Sequence, residues 1–467
     1  MGAHERNVSD VKIRPTDVAN VAGVVHAKRG RARVFKGIFT DTRFPVAGGV
    51  FFGFKGEKHD GSLFANDAIK AGARAVVVKN DTPLPKSDVH VFYHADPLFA
   101  FGELARAHRE GSGASVVAIA GSLGKTTVKE MVGRIFRKII GKNYVVMSEG
   151  NLNNLVGVPL NVFRLKKQRV AIFELGTSRI GELARLTRIV EPDFSVITAV
   201  APVHLEFFGD INGVLKAKWE LVEATAGDAR VVLNRDDELL VGNAKRIRRK
   251  IIWFGTHSKS DVKLADLSLL GFDGSKLTVW AGNETATCTI KAAGRHQAKN
   301  ALCALAIAYA YGLKLRDAAD ALSGFEPFEL RGRVMRRGKW TVIDDSYNAS
   351  PEAVKQALEM LAFGSGKKVA VIGHMRELGE SSRQLHFEVG QFAAKNSDVL
   401  IAVGELSDEI KRGAILAGMD ESRVFCAADW REALDVLLKA VKSEATILVK
   451  ASRLVGLDRL VKALGES

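Results

Sequence analysis

Residues 121–127, GSLGKTT, have the residue types and the spacing of a loop that holds a nucleotide phosphate. Glycines let the backbone approach an anion closely, a lysine reaches the outer phosphates, and the hydroxyl that follows can ligate Mg²⁺. Lys125 and Thr126 take these two positions. Ile119 stands where the longer nucleotide loop has its first glycine, so the pattern is the shorter G-x-x-G-K-T-T form.

Two further side chains follow apolar runs that read as strands. Glu174 ends the run RVAIFELG, and His204 comes soon after SVITAV. At the carboxyl edge of a parallel sheet they would lie beside the phosphate loop, where an acid binds a nucleotide-bound metal and an imidazole binds a second metal or a substrate carboxylate. A capping glutamate and a loop histidine bonded to backbone are the alternatives that the residues alone leave open.

The glycine loop needs a strand before it and a helix after it to bind an anion. Val116 to Ala120 is a short apolar run rich in β-branched residues, which predicts a buried parallel strand. Apolar residues then recur at helical spacing from Val128 to Phe136. The loop is therefore expected at the first turn of a helix, where unpaired amides and the helix dipole attract negative charge.

Strands and helices alternate along the whole chain, which predicts an α/β protein of three domains. Residues 1–95 read as a small N-terminal α/β domain, residues 96–324 as a central phosphate-loop domain with a mainly parallel sheet, and residues 325–467 as a C-terminal Rossmann-like domain. Asp96 and Pro97 form a helix start that marks the first boundary. KLTVWAG and ATCTIK predict a small antiparallel addition to the central sheet.

Composition narrows the class of protein. A chain of 467 residues with 47% hydrophobic content has the material for folded cores and not the signature of disorder. Cys288, Cys303 and Cys426 lie far apart, which argues against a disulfide framework or a zinc site and fits a reducing cytoplasm. The start lacks an apolar leader and no apolar run is long enough for a membrane span, so a soluble cytoplasmic protein is expected.

The formal net charge of +15 is concentrated in basic runs at residues 28–36, 245–250 and 331–339. Such runs can neutralise nucleic-acid phosphates, steer small polyanionic substrates, or form solvated faces. The sequence shows no aromatic-interleaved stacking platform and no nucleic-acid fold signature. Nucleic acid is therefore not the expected partner.

Seven groups of segments occur together in the order expected of the Mur ligases, and the chain resembles that family along its whole length. They are GSLGKTT, EGNLNNLVGVPLNVFRL, FELGTS, HLEFFG with KAKWEL, GRHQAKNAL, IDDSYNASPEAV and ILVKASR. Mur ligases build the peptide stem of bacterial cell-wall precursors by ATP-dependent amide ligation. DDSYNASP resembles the motif of the members that add D-alanyl-D-alanine, whereas the D-Y-A-H-T-P and D-N-P-R motifs of the diaminopimelate-adding members are absent.

The resemblance implies a ligase that joins D-alanyl-D-alanine to UDP-N-acetylmuramoyl-tripeptide. Such a ligase passes the γ-phosphate of ATP to a substrate carboxylate, and an amine then attacks the acyl phosphate to give the amide, ADP and phosphate. The implied catalytic residues are Lys125, Glu174, His204 and Lys218, and the implied Mg²⁺ ligands are Thr126, Glu174 and His204. Lys218, in KAKWEL, matches the family lysine that CO₂ converts to a carbamate.

The resemblance also assigns binding residues. Those for ATP are Gly121, Ser122, Gly124, Lys125, Thr126, Thr127, Asn300, Arg333, Asp345, Tyr347 and Asn348. Those for the UDP substrate are Thr42, Arg43, Asn153 and Asn154, the first two within a uridine-diphosphate-binding region formed by residues 40–43 and 54–61. Lys450 is a candidate to face the incoming dipeptide.

Five positions depart from the family pattern. Ala199 and Gln297 each replace an asparagine, Arg179 a histidine, His374 an aspartate and Ala451 a glycine. Loss of side-chain hydrogen bonds at Ala199 is expected to weaken substrate positioning unless another group compensates. The alternatives left open are a Mur-type ligase with another amine acceptor, a weakly active relative that binds UDP-sugar precursors, and a basic P-loop ATPase that binds nucleic acid. A monomer is expected.

Overall fold

The structure is a computed structural model that describes residues 7–56, 59–83, 87–327 and 330–466. Within these ranges the chain forms three sheets, of six, nine and six strands, in chain order. This is the α/β class, with one sheet for each predicted domain. No described helix is both long enough and apolar enough to cross a membrane.

The first sheet is built from short segments of the N-terminal part of the chain. Its elements are β1 (Asn7–Ile13), α1 (Pro15–Ala19), β2 (Val25–Lys28), β3 (Phe35–Phe39), β4 (Val50–Phe52), α2 (Ala65–Lys70), β5 (Ala75–Lys79) and β6 (His90–His94). The strand order is β1-β3-β4-β5-β6-β2, with the two edge strands antiparallel to their neighbours. Apolar runs near residues 37–43, 49–56 and 74–78 predict β3, β4 and β5, and the pattern of residues 63–72 predicts α2. The sequence does not predict the edge strands, whose exposed residues interrupt the apolar pattern, or the buried strand β6.

The central sheet carries the phosphate loop. Its elements are α3 (Pro97–Glu110), β7 (Ser115–Ala120), α4 (Lys125–Ile139), β8 (Val145–Met147), α5 (Gly157–Val162), β9 (Val170–Glu174), α6 (Glu182–Val190), β10 (Phe194–Ile197), α7 (Leu205–Phe208), α8 (Ile211–Ala224), β11 (Arg230–Asn234), α9 (Glu238–Ala244), β12 (Ile251–Gly255), β13 (Val262–Leu269), β14 (Ser275–Ala281), β15 (Glu284–Ile290), α10 (Arg295–Tyr311) and α11 (Leu315–Leu322).

The strand order of this sheet is β15-β14-β13-β12-β11-β10-β7-β9-β8. Strands β8 to β13 pair in parallel, and β14 and β15 extend the sheet as the antiparallel pair that the sequence predicts. β7 lies between β10 and β9, so the carboxyl ends of these three strands are adjacent. The phosphate loop, Glu174 and the segment that leads to His204 therefore start from one edge.

Helix α3 joins the first sheet to the central one. It begins as predicted, because the carboxylate of Asp96 accepts hydrogen bonds from two backbone amides of its first turn, at 3.0 and 3.1 Å. On its buried face the ring of Phe101 lies 5.0 Å from that of Phe52 in the first sheet and 5.6 Å from that of Phe163 in the central domain. The two domains thus share one continuous apolar core.

The third sheet forms a separate unit. Its elements are β16 (Arg333–Arg337), β17 (Trp340–Asp344), α12 (Pro351–Met360), β18 (Lys367–Gly373), α13 (Ser382–Asn396), β19 (Val399–Val403), α14 (Ser407–Leu416), β20 (Val424–Ala427), α15 (Trp430–Ala440), β21 (Ala445–Lys450) and α16 (Asp458–Glu466). The order is β16-β17-β21-β18-β19-β20, parallel except for the edge strand β16, which the sequence does not predict. Two apolar clusters cover its two faces.

Candidate active site

The predicted phosphate loop lies at the carboxyl edge of the central sheet. β7 ends at Ala120 and α4 begins at Lys125, so Thr126 and Thr127 are the second and third residues of the helix. Gly124 caps the helix with a left-handed backbone, φ +79°, and offers no side chain to the first amides of α4. These amides and the helix dipole form an anion site at the position that the sequence indicates.

Backbone groups of the neighbouring strand hold this loop in place. The amide of Ser122 donates to the carbonyl of Ala199 at 2.8 Å, and its hydroxyl lies 3.0 Å from both the amide and the carbonyl oxygen of Ala201. The hydroxyl of Thr198 donates to the carbonyl of Leu123 at 2.5 Å. Ala199 therefore supports the loop through its main chain, which a methyl side chain does not weaken.

Replacing Gly124 with alanine is expected to weaken ATP binding by about 100-fold, because it displaces the loop. A Cβ atom there would lie 2.3 Å from Oδ1 of Asn300, in a backbone with φ +79°. The measurement is equilibrium binding of a fluorescent ATP analogue. Gly113→Ala is the matched control: φ is +65° but no atom lies within 4 Å of the added carbon, so only the left-handed strain of about 1–2 kcal/mol applies. Equal affinities in the two variants would contradict this account.

Lys125 is folded back onto its own loop. Its Nζ donates to the carbonyl of Gly121 at 2.7 Å and more weakly to that of Ser122 at 3.4 Å. Burial lowers the pKa of the ammonium; Glu174 acts in the opposite direction, and Arg331 lowers it further. A half-buried cation that, among the described residues, is bonded to carbonyl oxygens alone gains from exchanging them for phosphate oxygens, which carry full negative charge.

Glu174 is buried at the end of β9, with 3% of its surface exposed. Its Oε1 accepts a hydrogen bond from Nδ2 of Asn153 at 3.0 Å, and its backbone amide donates to the hydroxyl of Ser148 at 3.0 Å. Its Oε2 is buried and has no hydrogen-bond partner within the described residues. An orphaned carboxylate oxygen at this place is suited to a metal ion or a bound water.

Lys129 belongs to this arrangement although sequence reasoning does not select it. It lies one turn after Lys125 in α4 and is 1% exposed. Its Nζ donates to the carbonyl of Ser148 and lies against the carboxylate of Glu130, both at 3.0 Å. It thus ties the phosphate-loop helix to the residue that holds the backbone of Glu174. The sequence signal that could have selected Lys129 is its spacing of four residues from Lys125, which puts both lysines on one face of α4.

The described residues contain no cluster of three or more His, Cys, Asp or Glu side chains that could hold a metal by themselves. The predicted Mg²⁺ ligands instead offer the orphaned Oε2 of Glu174, the hydroxyl of Thr126 and the imidazole of His204. Mg²⁺ bound with a nucleotide takes few protein ligands and completes its shell with phosphate oxygens and water. The donor set present fits such an ion.

Lys218 is buried in α8, with 2% of its surface exposed. Burial lowers its pKa to about 7; Lys125 lowers it further, while Glu182 and Glu220 act in the opposite direction. Its Nζ lies 5.6 Å from the ring centroid of Phe208. Both carboxylate oxygens of Glu220 accept backbone amides of the α6 start, at 2.6 and 3.1 Å. Near pH 7 about half of Lys218 is therefore the neutral amine. It is not the solvated helix lysine that composition alone would favour.

His204 stands at the border between the central and third domains. It caps α7 with a left-handed backbone, φ +53°. Its Nδ1 is hydrogen-bonded to a carboxylate oxygen of Glu377, which comes from the loop after β18. The imidazole holds the pKa of Glu377 below its ordinary value. The sequence selects His204 but not Glu377, whose partner lies 173 positions away.

The third domain reaches the phosphate loop through an arginine other than the predicted one. A guanidinium nitrogen of Arg331 lies 3.4 Å from the hydroxyl of Thr126, and its Cζ lies 3.9 Å from the ring centroid of Tyr347. Arg333, the second arginine of the same RGR motif, is exposed in β16, where its charge acts on Glu326. Arg331 thus lies beside the phosphate loop in this structure, and the role of Arg333 stays a prediction.

The loop after β17 faces the start of α10. Asp345 accepts a hydrogen bond from the buried Nζ of Lys450 at 2.5 Å, and the carbonyl of Asn348 accepts from the same nitrogen at 2.9 Å. Burial lowers the pKa of His296, in α10, to about 4, and both Asp345 and Lys450 act on it. Lys450 therefore orders the loop that carries the predicted ATP-binding residues of the third domain.

Asn300 lies beside the phosphate loop. Its Oδ1 is the atom that a side chain at Gly124 would meet, and its Nδ2 donates to Oε1 of Gln297 at 3.3 Å. Gln297 is 5% exposed. The glutamine that replaces a family asparagine is thus a direct partner of the predicted adenine-contacting residue.

The predicted residues for the UDP substrate do not meet at one point in the described contacts. Arg43 is exposed and paired with Asp41 at 2.7 Å, and the half-buried Thr42 lies between them in the loop after β3. Oδ1 of Asn154 accepts a hydrogen bond from the amide of Gly157, the first residue of α5, at 2.8 Å. The predicted segment 54–61 includes residues 57 and 58, which lie outside the described residues.

Comparisons with known proteins match the chain in all three parts. The family model for the Mur ligase family, catalytic domain, matches residues 34–109, that for the Mur ligase middle domain residues 119–308, and that for the Mur ligase, glutamate ligase domain, residues 328–453. The UDP-N-acetylmuramoyl-tripeptide–D-alanyl-D-alanine ligase of Bacillus subtilis (strain 168) is 34% identical over 457 residues, 96% of this chain and 97% of that protein.

Solved structures agree over the same length. The crystal structure of MurF from Acinetobacter baumannii matches with a TM-score of 0.89 at 26% identity, over 98% of this chain and 100% of that one. The MurF ligase from Thermotoga maritima in complex with ADP matches with a TM-score of 0.81 at 27% identity, over 92% of this chain and 97% of that one. The matches run from the first sheet to the third.

Proposed function

The chain belongs to the Mur ligase family, and on that premise we propose that it is the ATP-dependent ligase that adds D-alanyl-D-alanine to UDP-N-acetylmuramoyl-tripeptide in peptidoglycan precursor synthesis. One observation carries the proposal: the chain matches relatives named for that activity over nearly the whole of both lengths. The geometry of the phosphate loop supplies the physical reason why the chemistry would occur where it does.

The reaction we propose has two steps. The substrate carboxylate attacks the γ-phosphorus of ATP, which forms an acyl phosphate and releases ADP. The amino group of D-alanyl-D-alanine then attacks the acyl carbon, which forms the amide, expels phosphate and loses a proton. Phosphorylation is needed because a carboxylate is a poor acyl donor, and the catalytic task is to position the groups and to stabilise the charge on the transferring phosphoryl group.

Three cationic or amide groups of this chain stabilise that charge. The first amides of α4 would bind the phosphates, and Lys125 would exchange its carbonyl partners for phosphate oxygens. Arg331 approaches the same loop from the third domain. Because Arg331 comes from another domain, its contribution depends on that domain being closed onto the central one, which also excludes water.

Glu174, Thr126 and His204 would hold the Mg²⁺ ion of the nucleotide, the first through its orphaned Oε2. Bound there, the ion would neutralise charge on the phosphate oxygens. Asn153 and Ser148 keep the carboxylate of Glu174 in place, at 3.0 Å from its Oε1 and its amide respectively. Water exclusion is helped by the burial of Glu174 itself.

We also propose that Lys218 becomes a carbamate. Its neutral amine attacks CO₂, forms an N–C bond and releases a proton, which turns a buried amine into an anion near the phosphate site. The lowered pKa supports this step, since the neutral amine is the reactive form. A carbamate beside Lys125 would have a cationic partner, whereas an ammonium there is disfavoured by Lys125.

The domains we propose are residues 1–95 for the UDP substrate, 96–324 for ATP, and 325–467 for closing on ATP and binding the dipeptide. A monomer suffices, because one chain supplies all the groups named. ATP as the phosphoryl donor and the free Cys288, Cys303 and Cys426 support a cytoplasmic location.

The test is phosphate release with ATP, Mg²⁺ and UDP-N-acetylmuramoyl-tripeptide, with and without D-alanyl-D-alanine, and with the product identified by mass. Release that depends on the dipeptide and yields the pentapeptide product is expected. Release that ignores the dipeptide, or requires another amine, would leave the ligase family in place and overturn the acceptor. Stimulation by nucleic acid instead would point to the ATPase alternative.

A further inference from the structure

Glu377 is a carboxylate of the third domain that bonds to a predicted active-site residue of the central domain. Its Oε2 is hydrogen-bonded to Nδ1 of His204, across 173 positions of the chain. Both side chains are partly exposed, at 44% and 29% of their surface. A hydrogen bond between two partly exposed side chains contributes little stability by itself, so the contact needs another explanation than holding the fold together.

The backbone at both ends of the contact is strained. His204 has φ +53° and Glu377 has φ +63°, and neither is glycine. Residues other than glycine adopt this left-handed region only when their surroundings hold them there, and such positions cluster at functional sites. Two strained residues in contact with each other indicate that the orientation of their side chains serves a function.

Further contacts fix the loop of Glu377 against the central domain. The amide of Glu206 donates to the carbonyl of Glu377 at 3.1 Å. Gly379 lies so close to Glu206 that an added Cβ would be 3.0 Å from its Cα. Leu385, in α13, packs on the apolar cluster of Val203, Leu205 and Phe208. The hydrogen bond between Glu377 and His204 is therefore one part of a built docking contact.

The choice of nitrogen gives the contact a chemical meaning. Glu377 takes Nδ1, so Nε2 is the nitrogen that His204 can offer to a metal or a phosphate oxygen. A carboxylate that accepts a hydrogen bond from the Nδ1–H group fixes the tautomer, orients the ring and makes Nε2 a better ligand, as it does for most metal-binding histidines. Here that carboxylate arrives with the third domain.

We propose that Glu377 is a positioning residue that orients His204 for the ATP site, so that docking of the third domain completes the site. The inference deepens the proposed function and rests on its assignment of His204. It makes the productive state of the histidine conditional on domain closure. Phosphoryl transfer from ATP then occurs only when the third domain, with Arg331, is in place.

The test compares Glu377→Ala and Glu377→Gln with Glu380→Ala, which removes an exposed carboxylate three positions further along the same loop. Glu377→Ala is expected to lower kcat by about 10- to 100-fold with a small change in KM for the UDP substrate, as for other residues that orient a metal ligand. Glu377→Gln keeps an acceptor oxygen and should recover part of the loss. Glu380→Ala should stay near the parent rate.

A double variant separates positioning from mere docking. If Glu377 acts through His204, then adding Glu377→Ala to His204→Ala should cause no further loss of kcat. Losses that multiply in the double variant would overturn the proposal, because Glu377 would then act independently of the histidine. A parent rate in Glu377→Ala would overturn it as well.

Hydrogen exchange supplies a readout that does not depend on the acceptor. With Mg²⁺ and a non-hydrolysable ATP analogue bound, the amides of residues 204–208 should exchange faster in Glu377→Ala than in Glu380→Ala. Unchanged exchange would contradict the contact. If the parent protein does not use D-alanyl-D-alanine, the proposed function fails, and this comparison still decides whether Glu377 holds His204.

Discussion

Replacing Lys125 with alanine is expected to lower ATP-dependent phosphate release by about 1,000-fold or more while the protein stays folded, in line with the effect of removing a charge-stabilising group from a phosphoryl-transfer site. Within the part of the chain that the structure describes, its Nζ is bonded to loop carbonyls alone, at 2.7 and 3.4 Å. Losing these bonds costs little stability, since both acceptors are loop carbonyls, and Glu174, which loses a nearby positive charge, keeps its hydrogen bond from Asn153. The loss is therefore specific to the bound phosphates.

Stopped-flow phosphate release and thermal unfolding, measured on the same preparation, check this. Lys138→Ala is the matched control, because Lys138 is an exposed lysine in the last turn of the same helix. It should leave both quantities unchanged. Normal turnover in Lys125→Ala would remove the phosphate-loop assignment, and a large drop in its melting temperature would show that the lysine acts on the fold.

Replacing Lys218 with alanine is expected to lower activity by about 100-fold, and a short carboxylate such as acetate or propionate should restore part of it. The reason is that the exogenous carboxylate can occupy the space and carry the charge of the proposed carbamate. Lys216→Ala, an exposed lysine two positions earlier in α8, is the control and should respond to neither change. Rescue of Lys218→Ala by chloride as well as by carboxylates would argue for a general salt effect.

The activity of the parent enzyme should depend on CO₂, and the carbamate should form more readily as the pH rises. Burial lowers the pKa of Lys218 to about 7, so the reactive neutral amine predominates above that pH and the inert ammonium below it. Activity of protein freed of CO₂ at pH 6 should therefore be low, and bicarbonate at pH 8 should restore it. A carbamate signal in carbon NMR with labelled bicarbonate would appear in the parent and in Lys216→Ala but not in Lys218→Ala.

The sequence predicts local elements of the site well, because their signals are local. The run before Gly121 and the apolar spacing after Lys125 define the strand and the helix, and the structure has both. The helix start at Asp96 is equally local and equally confirmed. Patterns within about ten residues suffice where one element decides the geometry.

Contacts between distant segments are what the sequence does not reveal. Arg331 and Arg333 are equivalent in the motif RGR, and only the path of the chain after the second domain turns the former towards Thr126. Glu377 bonds to a residue 173 positions away along the chain. Ala199 shows the opposite case, since its missing side chain suggests weakness whereas its carbonyl supports Ser122. Main-chain roles leave no trace in residue type.

Helix α3 and the core that it shares with both neighbouring sheets hold the first two domains at a fixed distance from each other. Phe101 packs on both sides, so these domains cannot turn against each other without opening that core. On the proposed assignment, the first domain holds the uridine of the substrate and the second carries the phosphate loop. A peptide stem that is one residue too short or too long would then place its carboxylate away from the phosphate loop. On this assignment, selectivity for a tripeptide follows from the length of the substrate.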